Sequence, residues 1–323
     1  QKMTGVICGT GSYIPVHTMD NNDIAQLVET NDEWIRERTG VVKRHIIQEE
    51  TTVSMAADAA RKALENGNVS AEEVDLILVS TISSNVILPC AACEVQKAIG
   101  AVNATCFDLS AACTGFVFAY NTAVAYLASG MYRTVLIIGS ESLSNLTNWK
   151  DRGTCILFGD GAGAAVVKAA EGKLYRAVTH SDGFKGEALT CTSRHNRNWE
   201  EIPLEETYMQ MDGQAVFKFA VKRVPEAVKE VLEKNNMTAE EIDYFILHQA
   251  NKRIVEAVAK RLDVSIDKFP MNLQEYGNTS SASIPILLDE MSRDGRLKKG
   301  QKIILAGFGA GLSWGATILE WNK

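Results

Sequence analysis

Apolar residues in this chain gather into short unbroken runs, and between the runs they recur at every third or fourth position. Val74 with Leu76-Ile77-Leu78-Val79, Val135-Leu136-Ile137-Ile138-Gly139 and Ala162 to Val167 have the length of strands buried on both faces. Gly5-Val6-Ile7-Cys8-Gly9 predicts a first strand. Helical spacing predicts a short helix over Asn22 to Thr30, one over Ala56 to Glu65 stopped by Asn66-Gly67-Asn68, one over Cys90 to Ile99, and one carrying Phe116, Ala119, Tyr120 and Ala123. Thr81 to Pro89 is a loop. Residues 172–215 break the pattern, with a polar stretch from Arg194 to Asn198, and read as strands and loops capping a cleft.

The order repeats. Leu64 to Asp75 can be laid on Leu232 to Asp243, 168 positions further on, and Gly139 at the end of its strand falls on Gly307 at the same offset. A repeat this long is no solenoid; it implies two homologous βα units about a pseudo-twofold axis. The expected units are residues 1–171 and 172–323.

Candidate chemistry lies just past the strand ends. Phe107-Asp108-Leu109-Ser110-Ala111-Ala112-Cys113-Thr114-Gly115-Phe116 reads as a sharp strand-to-helix turn, which puts Cys113 at a helix N-terminus. The positive end of the helix dipole favours a thiolate there. A plain buried cysteine is the competing reading, since the chain has seven. His248 ends the run Phe245-Ile246-Leu247, Asn278 sits in a second turn of glycine and small residues, and Gly307-Phe308-Gly309-Ala310-Gly311 ends another strand with thin backbone. Ligands of α/β sheets bind outside the C-terminal strand ends, so these groups should share one cleft suited to nucleophilic acyl chemistry. His17, His45, His180 and His195 read as solvated. Gly159-Asp160-Gly161-Ala162-Gly163 precedes a strand-like run, so it is no dinucleotide turn.

Composition narrows the classes. In 323 residues with 46% hydrophobic content, a net charge of −7 argues against nucleic-acid binding by bulk electrostatics. No membrane span or secretory signal is visible, so a cytoplasmic location is expected. An odd number of cysteines suits reduced thiols. Cys90 and Cys93 form a C-x-x-C pair without a second pair or a nearby histidine, which leaves a redox motif or helix packing rather than zinc. Lys218, Arg253, Lys260 and Arg261 make a local basic set on an acidic protein.

Through Gly9-Thr10-Gly11-Ser12-Tyr13-Ile14-Pro15, Asn31-Asp32-Glu33-Trp34-Ile35, Arg38-Thr39-Gly40, Asp151-Arg152-Gly153-Thr154, Phe158 to Ala164, His248-Gln249-Ala250-Asn251, Gly277-Asn278-Thr279-Ser280 and Ser313-Trp314-Gly315, the chain resembles the β-ketoacyl-acyl-carrier-protein synthase III enzymes of the thiolase superfamily. The resemblance implies an α/β fold, a duplicated thiolase-like αβαβα sandwich, and a Cys-His-Asn triad at Cys113, His248 and Asn278. It implies decarboxylative Claisen condensation of a short acyl-CoA with malonyl-acyl-carrier protein, with no cofactor or metal. A polyketide or alkylquinolone starter synthase and a non-catalytic acyl-CoA-binding scaffold are the alternatives. Oxyanion donors would be the backbone N–H groups of Cys113 and Ala310, the latter standing where the family's glycine turn has its middle glycine. Trp34, Arg38, Arg152, Asn251 and Arg253 would bind coenzyme A, with Trp34 and Arg152 sandwiching the base, and Phe308 would shield the acyl group. Leu88 would close the acyl pocket of the neighbouring subunit in a homodimer, with Lys218, Arg253, Lys260 and Arg261 docking the carrier protein.

Overall fold

Two mixed sheets carry the architecture, and they share one strand order. The computed structural model describes residues 2–193, 195 and 198–323; of the expected polar stretch, Arg194, Asn196 and Arg197 lie outside the described residues. The chain opens with β1 (Lys2–Tyr13), β2 (Thr18–Asp20), α1 (Asn21–Ala25), α2 (Asp32–Thr39), β3 (Lys43–His45) and α3 (Thr52–Gly67). Next come β4 (Leu76–Ser80), α4 (Ala91–Ile99), β5 (Thr105–Leu109), α5 (Gly115–Ser129), β6 (Thr134–Ser142) and β7 (Asp160–Gly172). Then follow β8 (Val178–Ser181), β9 (Leu189–Thr190), β10 (Gln210–Met211), α6 (Gly213–Lys234), β11 (Tyr244–Leu247), α7 (Lys252–Leu262), α8 (Leu273–Tyr276), α9 (Ser283–Arg293), β12 (Lys302–Gly309) and β13 (Ser313–Glu320).

The first sheet runs β1-β7-β6-β4-β5 and the second β8-β13-β12-β11. In each, the strands that feed the functional turns are parallel and the two beyond them antiparallel. Helices α3 and α4 cover the outer face of the first sheet, α6 and α7 that of the second, and α5 and α9 lie between the sheets. That is the expected five-layered sandwich. Strands β4 and β6 are buried at every position, which is why their sequences run apolar without alternation.

Three expectations shift. The helix expected over Asn22 to Thr30 ends at Ala25, and a second begins at Asp32, because two caps compete for the segment: Asp20 and Asp23 form a capping box, and the Asn31 side chain accepts the Trp34 N–H. Helix α3 starts before its alanine run, where Thr51 and Ser54 form a second capping box, and it stops where Asn68 turns left-handed at φ 51°. In the region read as a cap on the cleft, β8 is instead the edge strand of the second sheet, paired from Val178 to Ser181 against β13.

Candidate active site

Both functional turns use the same backbone device. Ala112 and Ser280 carry positive φ values of 47° and 53°, and each opens a short 3₁₀ turn that runs into a central helix. The left-handed residue reverses the chain so that the next residues face the opposite sheet. Each turn then presses on the other sheet's glycine. A Cβ on Gly309 would lie 2.7 Å from Cys113 Cβ and 3.3 Å from its sulfur, while one on Gly139 would strike the Ser281 carbonyl. The thin backbone at the end of β12 is therefore required by the Cys113 side chain itself.

His248 stands just past β11, its N–H donating to the Ala306 carbonyl at 2.9 Å. Its Nδ1 lies 2.8 Å from the Ser283 hydroxyl, whose oxygen also accepts the Gln249 N–H at 3.2 Å. With Nδ1 as the acceptor the hydroxyl proton has a partner, whereas an Nδ1–H would leave it with none among its contacts, and this assigns the ring's own proton to Nε2. Burial lowers the imidazole from 6.5 to about 3, so it stays neutral at working pH. Phe308 meets the ring edge to face, with centroids 5.1 Å apart, and is itself buried. Asn278 is also fixed: its Oδ1 accepts the Ser280 N–H at 2.8 Å, which leaves the NH₂ group to donate. Its main chain is clamped to Leu157 and Gly159 at 2.8 and 3.0 Å.

The expectation for the cysteine needs correction. Cys113 is buried one residue inside its 3₁₀ turn, and desolvation pushes the thiol up to about 12, opposing the helix end that was expected to lower it. The Ser280 hydroxyl lies between this thiol and the Glu141 carboxyl, near enough to favour the ionised form of both, yet without full hydrogen-bond geometry to either. Glu141 is itself fully buried; Thr81, Ile82 and Ser83 donate to it at 2.8–2.9 Å, and burial raises it.

A second group of side chains lies on α2, α7 and the loop before β7. The Arg38 guanidinium stands 5.2 Å over the Trp34 ring, and Trp34 and Arg152 line a pocket of about 260 Å³ together with Glu29 and Asn31. Arg152 donates to the Glu29 carbonyl at 3.3 Å. Asn251 ties α7 to α2 by donating to the Arg38 carbonyl at 3.2 Å, and Arg253 stands 5.6 Å over Phe217, beside exposed Lys218. Lys260 and Arg261 occupy the far end of α7, roughly 10 Å along the axis, where they face the negative end of the helix dipole. Leu88 is exposed, on the loop that leads into α4.

Residues 107–183 match the family model for 3-oxoacyl-[acyl-carrier-protein] synthase III, and residues 232–321 match that for its C-terminal part. The β-ketoacyl-[acyl-carrier-protein] synthase III of Clostridium acetobutylicum is 48% identical over 320 residues, 98% of each chain. The chain belongs to this synthase III family. The synthase III from Clostridium novyi is also 48% identical, over 97% of this chain and 98% of its own. Among solved structures, the synthase III of Aquifex aeolicus superposes with a TM-score of 0.92 at 41% identity, covering 98% of this chain and all of its own. A priming β-ketosynthase of the R1128 polyketide pathway gives 0.95 at 35%, covering all of this chain and 98% of its own.

This synthase III chain is thus a condensing enzyme of the acyltransferase type that initiates fatty-acid synthesis. Among the described residues, no cluster of three or more His, Cys, Asp or Glu side chains is placed to hold a metal ion, and no helix is long and apolar enough to cross a membrane. Sequence reading missed Ser283, Ser280 and Glu141. Glu141 had a signal, an acid closing a buried apolar strand; the two serines had none beyond their place in small-residue turns.

Proposed function

We propose that Cys113, His248 and Asn278 carry out a two-stage decarboxylative Claisen condensation. In the first stage the Cys113 sulfur attacks the thioester carbonyl of a short acyl-CoA. The tetrahedral oxyanion is held by the backbone N–H groups of Cys113 and Ala310, and the thiol's proton leaves with coenzyme A. In the second stage malonyl-acyl-carrier protein loses carbon dioxide, and its enolate attacks the acyl-cysteine and releases the sulfur. His248 Nε2–H and the Asn278 NH₂ group hold the enolate oxygen. The observation that carries this reading is that both groups are fixed as donors: Ser283 occupies Nδ1, and the Ser280 N–H occupies Oδ1. Decarboxylation makes the carbanion without a base, so two neutral donors suffice. His248→Ala and Asn278→Ala should therefore impair condensation more than self-acylation in single-turnover experiments with labelled acetyl-CoA; equal loss in both stages would contradict the assignment.

Trp34, Arg38, Arg152, Asn251 and Arg253 are assigned to coenzyme A, and Lys218 with Arg253 to the acidic carrier, with Lys260 and Arg261 at the margin of that patch. A homodimer is supported by the unpaired edge of β5 and by the exposed Ile87 and Leu88 nearby. In it Leu88 closes the partner's acyl pocket. Leucine leaves room for extra methylenes, each worth about 0.8 kcal/mol when buried, so four- and five-carbon primers should be used beside acetyl. Leu88→Phe should narrow that range, and an unchanged butyryl-to-acetyl rate ratio in a folded dimer would remove the pocket assignment.

A further inference from the structure

The condensing site is rich in donors and poor in groups that can take a proton. His248 has its own proton on Nε2 and its Nδ1 occupied by the Ser283 hydroxyl, and Asn278 has its Oδ1 occupied by the Ser280 N–H. Cys113 is buried, and desolvation keeps its sulfur a neutral thiol. Attack on a thioester needs thiolate character at that sulfur, so the first stage requires a proton acceptor.

The Glu141 carboxyl, one residue before the end of β6, has the free capacity. The turn that opens with Ser280 packs against both β6 and the turn that holds Cys113. Three donors converge on Glu141 Oε1: the Thr81 hydroxyl at 2.8 Å, the Ile82 N–H at 2.9 Å and the Ser83 hydroxyl at 2.9 Å. The two hydroxyl oxygens accept the Ser83 and Ser142 N–H groups in turn, which fixes their protons toward the carboxyl. Oε2 is different. Among the described residues it is the one buried carboxylate oxygen without a hydrogen bond, and the buried Ser280 Oγ between this carboxyl and the Cys113 sulfur is unpartnered as well. Leaving two such atoms unsatisfied in a dry interior opposes folding, and contacts of this kind tighten when the reacting group gains charge.

We propose that Glu141, acting through the Ser280 hydroxyl, accepts the Cys113 proton during acyl-enzyme formation, an inference that rests on the two-stage mechanism above. As the bond from sulfur to the thioester carbon forms, the S–H proton passes to Ser280 Oγ and the Ser280 proton passes to Glu141 Oε2. When the tetrahedral intermediate collapses, the bond from that carbon to the coenzyme A sulfur breaks and the proton returns along the same path to the departing sulfur. The carboxylate is regenerated and no other acid or base is consumed. The three donors on Oε1 decide which oxygen takes the proton, and burial, by raising Glu141, makes it a stronger base than an exposed carboxylate. Glu141 does not touch the substrate; it is a positioning residue for the proton. It also anchors the start of the loop from Thr81, and two variants separate these roles.

Glu141→Gln keeps a carbonyl oxygen for Thr81, Ile82 and Ser83 and puts an NH₂ group where the proton would land. Ser280→Ala cuts the path at its middle and leaves the carboxyl and its three donors in place; Ala112 holds the same left-handed backbone in the other turn, so alanine is accommodated. In single-turnover acylation with labelled acetyl-CoA, each variant should lose about a hundredfold in rate at saturating acetyl-CoA, with the half-saturating concentration and the melting temperature near wild type. The double variant should be no slower than the slower single one, because one path is cut twice. A rate within about threefold of wild type in either folded variant, losses that multiply in the double variant, or a raised half-saturating concentration at unchanged rate would each overturn the proposal. Label mapped by mass to a cysteine other than Cys113 in the wild type would instead remove the mechanism beneath it, and the proposal with it.

Discussion

The two functional turns share a backbone and differ in almost every polar side chain, and the difference shows how one duplicated device was divided between two tasks. Positions 168 apart pair Ala112 with Ser280, Cys113 with Ser281, Gly115 with Ser283, Ser110 with Asn278 and Ser80 with His248. The left-handed residue, the 3₁₀ turn and the first residue of the central helix coincide. What differs is where the polar atoms are used. Ser281, standing where the other turn has its cysteine, donates its hydroxyl to the Ser80 carbonyl at 2.9 Å and so is committed to the fold. Ser80 takes the place of the histidine and lies so close to Gly115 that a side chain there would strike its hydroxyl. On the proposed mechanism one turn presents a nucleophile and the other presents donors, although the chain path through both is the same.

The largest effect should separate the two turns outright. Cys113→Ser is expected to lower acyl-enzyme formation by roughly a thousandfold or more, because an alcohol near neutral pH is a far weaker nucleophile. Ser281→Cys should add no second acyl site, since that position is packed against β4; mass mapping of an acylated Ser281→Cys protein that found label at position 281 would break the comparison.

The glycines come next. Gly309→Ala drives a methyl group against the Cys113 side chain and should lower the acylation rate about a hundredfold or more, with melting temperature less affected. Gly139→Ala meets the Ser281 carbonyl instead and should appear first as lost stability, on the order of 1–3 kcal/mol. Thermal melts read beside acylation rates decide whether that split holds.

A smaller change is expected from Ser283→Ala. It frees Nδ1 of His248 and lets the ring proton move between the nitrogens, so condensation should fall about tenfold while self-acylation stays within about twofold. If self-acylation fell as far as condensation, Ser283 would be a packing residue only.

The mildest effect concerns acid. His248 has its folded value depressed from 6.5 to about 3, so it contributes stability that is fully present above pH 6.5 and is lost as pH falls toward 3. His248→Gln should flatten the stability curve across that window in denaturant titrations, and a curve as steep as the wild type would place the acid sensitivity elsewhere.

Much of this was legible in order along the chain. Strands buried on both faces advertise themselves because nearly every position along them is apolar, and the 168-residue repeat survives where turn chemistry constrains it, at left-handed Asn68 with Asn236 and at Gly139 with Gly307. Cys113 and His248 could be picked out because each follows a strand end, where a sheet leaves its side chains to a ligand, whereas Asn278 follows α8 rather than a strand and stood out through its turn of glycine and small residues. Tertiary structure decided the rest, because it depends on which groups meet across the two sheets. The raised pKa of Cys113 follows from burial that a helix-end argument does not contain, and the assignment of the proton to His248 Nε2 follows from a serine 35 positions away whose hydroxyl proton has Nδ1 as its acceptor. Sequence pattern determines where chain ends of strands and helices fall, since local sterics and burial act residue by residue; ionisation and tautomer are set by neighbours drawn from distant segments, and only the folded chain brings those together.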